Sequence, residues 1–254
     1  MWLRYLTNGP EFDFPPFARL PPVRYVLAST PRSGSNMLAR ALWHTGVAGF
    51  AEDYFADEHV LDYFERWGFA AGDEESMLER YVRMLMTVRT SPNGVFGVRV
   101  HAPGLRHLEI DVHDLLLSPQ YIWIQRRDRL GQAISYTMAE QTGAWILDGT
   151  YLPLREKVAE PRYSYADIRR HLLLLDHGVT AWEEYFDRRN LNPHVVVYED
   201  LLENYEQCVL GCLKSLGVAA PGQIPDPGIR RQANETNLAW AQRYERDAAR
   251  GLSC

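Results

Sequence analysis

The chain has 254 residues, 46% hydrophobic and 24% charged, a composition that buries a sizeable core and excludes a disordered protein. Its 33 acidic against 27 basic residues give a formal net charge of -6, which excludes a general nucleic-acid binder but leaves room for a local basic pocket. The best apolar run, residues 172–175, is far too short to cross a bilayer, and Met1-Trp2-Leu3-Arg4-Tyr5-Leu6 lacks signal-peptide features, so a cytoplasmic protein without a transmembrane segment is expected.

Residues 1–22 carry Pro10, Pro15, Pro16, Pro21 and Pro22 without a sustained period and read as an extended lead-in. Residues 23–28 predict a buried strand. A loop of small residues follows, then a helix over 35–45 with Met37, Leu38, Ala41 and Leu42 on one face and Gly46 as its stop. A second helix covers about 76–89, striped by Leu78, Tyr81, Val82 and Leu85. Ser91-Pro92-Asn93-Gly94 is a turn, and residues 95–100 and 121–124 are strands. A basic loop and a helix from about Arg129 come next. The longest helix spans 165–189, where Ile168, Leu172, Leu175, Val179, Trp182 and Phe186 recur at steps of three and four.

Residues 195–198 predict another strand, with Asp200 placed to cap the helix after it. Cys208 and Cys212 share one helix face with Leu201, Tyr205, Val209, Leu213 and Leu216, the pattern of buried thiols in a reducing compartment. Strands alternating with helices predict an α/β fold with a central, mainly parallel sheet flanked by helices, in a single domain over residues 1–254. Ligands in such folds sit beyond the carboxyl ends of the strands.

One such end is Val26-Leu27-Ala28-Ser29-Thr30-Pro31-Arg32-Ser33-Gly34-Ser35-Asn36. Loop N–H groups and those of the helix start converge on one space there, and the helix dipole favours an anion in it. Arg32 adds a forked cation suited to phosphate or sulfate oxygens, and Ser33, Gly34, Ser35 and Asn36 shape the cradle. Gly34 permits close backbone approach. The loop lacks G-x-x-x-x-G-K-[ST], so it is not an ordinary ATP or GTP loop. A second strand end, Ile124-Gln125-Arg126-Arg127-Asp128, leads to Gln132-Ala133-Ile134-Ser135.

The strand–PRSGS–helix unit resembles the 5′-phosphosulfate loop of sulfotransferases, and the second block resembles their 3′-phosphate site of one arginine and one serine. Arg127 stands eight residues before Ser135, as in many animal enzymes; Arg126 fits the Arg-x-Asp…Gln-Ala-[Val/Ile]-Ser run of a bacterial branch and is favoured. Thr45-Gly46-Val47-Ala48-Gly49 with Glu52-Asp53-Tyr54-Phe55, and Arg231-Gln232-Ala233-Asn234 with Trp240 and Arg243-Tyr244, complete the resemblance. From about Val23 to Asp247 the chain is similar to the trehalose 2-sulfotransferase family of bacterial sulfotransferases. That resemblance implies a P-loop-like three-layer fold, 3′-phosphoadenylyl sulfate (PAPS) as donor, adenosine 3′,5′-bisphosphate (PAP) as product, a hydroxyl acceptor and no metal. It also implies that Arg231 closes over the nucleotide.

Sulfuryl transfer needs in-line oxygens, stabilised charge and a base for the acceptor proton; phosphoryl transfer is the nearest template. In the resembling family a glutamate after the TGVAG turn is the base. The matching position holds Asp53, one methylene shorter, with Glu52 beside it. His101, in Val98-Arg99-Val100-His101-Ala102-Pro103, is a third candidate, because this segment resembles the Lys-x-His-x-Pro run of cytosolic sulfotransferases. Arg99 then lies beside the donor sulfate or pairs with a carboxylate. His44, His59, His107, His113, His171, His177 and His194 form no pair at metal-ligand spacing.

The leading reading is therefore a sulfotransferase acting on a hydroxyl of a small molecule, carbohydrate or glycolipid. A P-loop-type kinase or NTPase, and a non-catalytic nucleotide-binding module, are the alternatives. Residues 56–75 and 137–163 fall where acceptor loops belong, the second with Trp145, Gly149, Tyr151 and Tyr163 to stack on sugars. The resembling branch includes dimers, so a homodimer is among the expected assemblies.

Overall fold

In the computed structural model, which describes residues 6–69, 77–101, 111–143, 145, 160–226 and 235–251, the β-branched and aromatic segments pair into a parallel sheet. Its strands are β1 (Val23–Ser29), β2 (Val95–His101), β3 (Gln120–Gln125) and β4 (His194–Val197), in spatial order β2-β1-β3-β4. Parallel neighbours need crossovers, and helices carry them. Between β1 and β2 lie α1 (Ser35–His44), α2 (Asp57–Trp67) and α3 (Met77–Arg89), and α4 (Val112–Leu115) precedes β3. α5 (Arg129–Thr142) and α6 (Tyr165–Arg189) join β3 to β4, and α7 (Tyr198–Glu203), α8 (Tyr205–Ser215) and α9 (Glu235–Ala249) follow.

The chain leaves β1 toward β2 on one side and later returns to β3 on the other. The carboxyl ends of β1 and β3 therefore flank the switch point where such sheets open a crevice. The register places Ser29 opposite His101, so the last residue of β2 faces the start of the loop after β1.

β1 is buried on both faces, which is why it reads as a continuous apolar run. Tyr25 and Leu27 pack with Leu38 and Leu42 of α1 and Val209 and Leu213 of α8. Val26 and Ala28 pack on the opposite face with Leu85 of α3 and Trp182 and Phe186 of α6. The stripe of α6 thus does what its period predicts, and Ser164 and Asn190 close its ends; the Ser164 side chain accepts from the Asp167 N–H, and Asn190 turns left-handed at φ 50°. A third cluster joins α5, α6 and α9 through Ala133, Ile134, Ile168, Leu175 and Trp240.

Four local expectations are corrected. Residues 57–67 are a helix, not a loop: Tyr63, Phe64 and Trp67 pack their rings around Tyr81 of α3, and the acidic start of the sequence suits a helix N-terminus. Asp200 lies inside α7 rather than capping it, because the chain turns helical at Tyr198 with Val197 in the cap position. The stripe from Leu201 to Leu216 is split at Asn204 (φ -130°, ψ 49°) into α7 and α8, with Cys212 buried and Cys208 partly so. The described part of the lead-in, residues 6–22, holds two 3-10 turns at Leu6–Asn8 and Pro10–Phe12. Buried Arg89 holds them by donating to the carbonyls of Thr7, Gly9 and Phe12, while Arg66 donates to the Asn8 carbonyl and the Asp13 carboxylate.

Candidate active site

Residues 30–34 turn the chain from β1 into α1, and two of them are left-handed: Arg32 at φ 62° and Gly34 at φ 93°. Gly34 is required twice over. Its φ suits glycine, and a Cβ there would collide with the Tyr198 ring. Gly34 is also the cap residue of α1 and brings no side chain to the first-turn N–H groups. Beside them the Ser33 hydroxyl is fully buried and has no hydrogen-bond partner among the described residues. A buried hydroxyl beside free helix-start N–H groups is placed to hydrogen-bond a ligand or a water held there.

The cations gather on this cradle. Arg32 donates through Nε to Ser135 Oγ at 2.9 Å and through Nη1 to the Trp145 carbonyl. Arg126, at the end of β3, donates from Nη1 to the Arg32 carbonyl at 3.3 Å, and its guanidinium stands 5.0 Å over the Tyr198 ring. Its side chain is only 10% exposed; Nη2 donates to Asp128 Oδ2 at 3.4 Å, while Nε has no hydrogen-bond partner among the described residues, with Glu199 Oε1 4.0 Å away. Burial, and then the neighbouring Arg126 charge, push the Arg32 guanidinium down to about 10. An anion held beside Arg32 offsets the neighbouring Arg126 charge that disfavours its own. Arg127 takes no part: its side chain is 59% exposed and donates to Asp200 on the outside of α7.

Ser135 reaches the cradle because Asp128 caps α5, its side chain accepting from the Gly131 N–H at 2.8 Å, and so starts the helix directly after the basic loop. Arg32, Ser33, Gly34, Ser35, Asn36, Arg126 and Ser135 are thus assembled at the switch point. Arg231 lies outside the described residues.

The three base candidates meet at the same end of the sheet. His101 Nδ1 is 2.9 Å from Ser29 Oγ, and its Nε2 is 3.5 Å from Asp53 Oδ2. Burial holds the imidazole below its usual range against the pull of Asp53, so it is neutral at pH 7. The two side chains are about equally exposed, 22% for Asp53 and 25% for His101. Glu52 turns inward: Oε1 accepts from Arg99 Nη2 at 2.6 Å and from the Asp53 N–H at 3.2 Å, while its carbonyl accepts from the Arg99 N–H at 2.8 Å. Burial opposes the Glu52 charge, yet Arg99 foremost, with His59, holds the carboxyl below its usual 4.5. A carboxylate so held is a poor proton acceptor. Arg99 therefore pairs with Glu52.

This pair makes a stability prediction. A carboxyl whose folded value lies below its unfolded one contributes stability fully above about pH 4.5, and that contribution is lost as pH falls through the folded value. Glu52→Gln is expected to cost about 3 kcal/mol at pH 7, because Arg99 is left buried without its counter-charge. The variant should also lose part of the acid-side fall in stability. Urea melts from pH 7 to pH 3 check both, and wild-type stability across that range would overturn the assignment.

The match to known proteins bears on this geometry. Residues 24–247 match the model of the Stf0 sulphotransferase family. The chain belongs to that family. It is 30% identical to a trehalose 2-sulfotransferase of Mycolicibacterium smegmatis, over 90% of this chain and 97% of the relative. It is 28% identical to a trehalose 2-sulfotransferase of Mycobacterium tuberculosis, over 89% and 96%. A solved sulfotransferase from Alicyclobacillus acidocaldarius overlays on 92% of this chain and 94% of its own, at 15% identity and a TM-score of 0.45.

In this sulfotransferase the strand end after β4 supplies what the sequence reading passed over. Tyr198, predicted there only as the last residue of a strand, lies against Gly34 on one side and under Arg126 on the other. The available signal was topological: it follows β4 as Arg126 follows β3, with both at the ligand end of the sheet. Of the aromatic residues assigned to the acceptor, Tyr163 is engaged elsewhere, edge-on to Trp240 at 5.7 Å and donating to Asp247 at 2.9 Å. Trp145 does lie at the site, edge-on to Tyr136 at 5.8 Å. Gly149 and Tyr151 are outside the described residues. Among the described residues, no helix is long and apolar enough to cross a membrane, and no group of three or more His, Cys, Asp or Glu could hold a metal ion.

Proposed function

We propose that this sulfotransferase takes its sulfuryl group from PAPS and delivers it to a hydroxyl of a carbohydrate acceptor. The observation that carries the reading is the crowded cation pair, Arg32 and Arg126, set against the orphan Ser33 hydroxyl and joined to Ser135. A compact polyanion answers all of these at once, so the residues present fit the donor. When bound, the donor supplies the sulfuryl group and a phosphate as leaving group. Arg32 and the N–H groups at the start of α1 hold charge at the reacting end. Arg126 and Ser135 bind the 3′-phosphate. Asp53 accepts the acceptor proton, and His101, neutral beside it, fixes its direction.

The trehalose named for the two curated relatives favours a sugar as acceptor, and the rings of Tyr136 and Trp145 beside Arg32 suit one. The family match over residues 24–247 supports reading the chain as one sulfotransferase domain.

Calorimetric titration with PAP, and with ATP and GTP in parallel, tests the donor. Micromolar binding of PAP without Mg²⁺ is expected, with little of the others. A preference for ATP or GTP with Mg²⁺ would overturn the reading in favour of a kinase. The same titration separates the two arginines. Arg126→Ala is expected to weaken PAP binding by about 10- to 100-fold, the worth of a charge-assisted bond from a largely buried cation. Arg127→Ala should change it by less than about twofold, since an exposed ion pair contributes little. Equal losses would place both arginines on the ligand.

A further inference from the structure

A buried amide on α5 has no role in the chemistry described above. Gln132 is fully buried, one helical turn before Ser135 and on the same face of α5. Its Nε2 donates to Thr30 Oγ1 at 2.9 Å and to the Pro31 carbonyl at 2.7 Å. Its Oε1 accepts from Arg129 Nη1 at 3.1 Å. The amide has only one workable orientation, because the Pro31 carbonyl can only accept and the Arg129 guanidinium can only donate.

The bonds fall on the two residues that precede Arg32. Arg32 is left-handed, a conformation that a residue with a Cβ rarely adopts unless its surroundings impose it. The Pro31 carbonyl belongs to the peptide plane about which φ of Arg32 is measured, so holding that carbonyl holds the turn. One face of α5 therefore grips the loop twice: Gln132 takes the backbone before Arg32, and Ser135 takes the Arg32 side chain.

We infer that Gln132 is a positioning residue of this sulfotransferase, one that holds Thr30 and Pro31 so that Arg32 is presented, preformed, to the anion of the donor. The inference rests on the donor reading above for its kinetic consequence, but not for its structural one. Gln132 acts through Arg32 and touches no reacting atom. A displacement of about 1 Å at such a group is enough to cost on the order of 10²-fold in rate.

Gln132→Met keeps the buried volume and removes every hydrogen bond of the amide. Hydrogen exchange of the peptide covering residues 29–35 is expected to rise at least tenfold in this variant, while exchange in β3 and α6 stays at wild-type levels. Unchanged exchange in the loop would overturn the inference whatever the donor proves to be. For function, PAP affinity and kcat/KM are measured in Gln132→Met, Arg32→Ala and the double variant. Gln132→Met alone is expected to lose about 30- to 100-fold in kcat/KM, and less than threefold more once Arg32 is gone. Losses that multiply in the double variant would make Gln132 a packing residue and overturn the inference.

Thr30→Val, which removes one of the two loop bonds, should shift exchange and kcat/KM the same way by a smaller factor. It carries the test if Gln132→Met does not fold, and wild-type values in it would then count against the role. A wild-type protein that does not bind PAP would overturn the donor alone, with the exchange experiment still deciding the place of Gln132.

Discussion

Arg32→Ala is expected to lower kcat/KM by on the order of 10³-fold, about 4 kcal/mol of transition-state stabilisation, and to weaken PAP binding by at least about tenfold. The size follows from the site. Arg32 is one of two guanidiniums at the cradle, it is largely screened from water, and charge there acts in a low dielectric. The melting temperature should change little. Arginine and alanine both carry a Cβ, so the left-handed backbone at φ 62° is equally strained in both. Arg32→Lys tests the fork separately: it keeps the charge but cannot hold Ser135 and an anion in one plane, and a loss on the order of 10²-fold is expected. Turnover with a labelled donor, read beside calorimetry and a thermal melt, checks all three. Wild-type PAP affinity in Arg32→Ala would remove this residue from the donor site.

The second large effect concerns the proton. Asp53→Asn is expected to lower kcat by about 10²- to 10³-fold with PAP affinity within about twofold of wild type, the pattern of a group that acts only in the chemical step. The role proposed for His101, orienting Asp53 from 3.5 Å without taking the proton, predicts a loss of about tenfold in His101→Ala. The contrast arises from neighbours. His101 is held between Ser29 and Asp53 with its imidazole below its usual range, whereas Asp53 has its backbone N–H held by Glu52; the two side chains are about equally exposed. Single-turnover rates at saturating donor separate the chemical step from binding. If His101→Ala loses more than Asp53→Asn, the base is His101 and Asp53 is its orienter.

Much of the fold was legible beforehand because it rests on periodic burial. β1 is apolar over residues 25–28 since both its faces are covered there, and α6 repeats at three and four since one face is. The anion loop was legible for a different reason: a strand ending in small residues before a helix has few other uses. What escaped was local. α2 starts after Ala56, which offers no side-chain cap to announce it, and the ring cluster around Tyr81 anchors its last turns. The split at Asn204 leaves the apolar spacing almost intact, so the stripe alone does not reveal it.

The chain by itself determined the alternation of strands and helices, the anion-binding loop after β1 and the resemblance to sulfotransferases, all carried by residue types at short spacing. Only the tertiary structure decided between neighbours: Arg126 over Arg127 for the cradle, and Glu52 for Arg99 while Asp53 faces His101. Consecutive side chains at the end of an extended segment point to opposite sides, so a step of one residue exchanges a buried site for solvent. Which side is the site depends on the register of β1 against β2 and β3 and on the helix that closes over them, and those contacts are made by residues far apart in the chain.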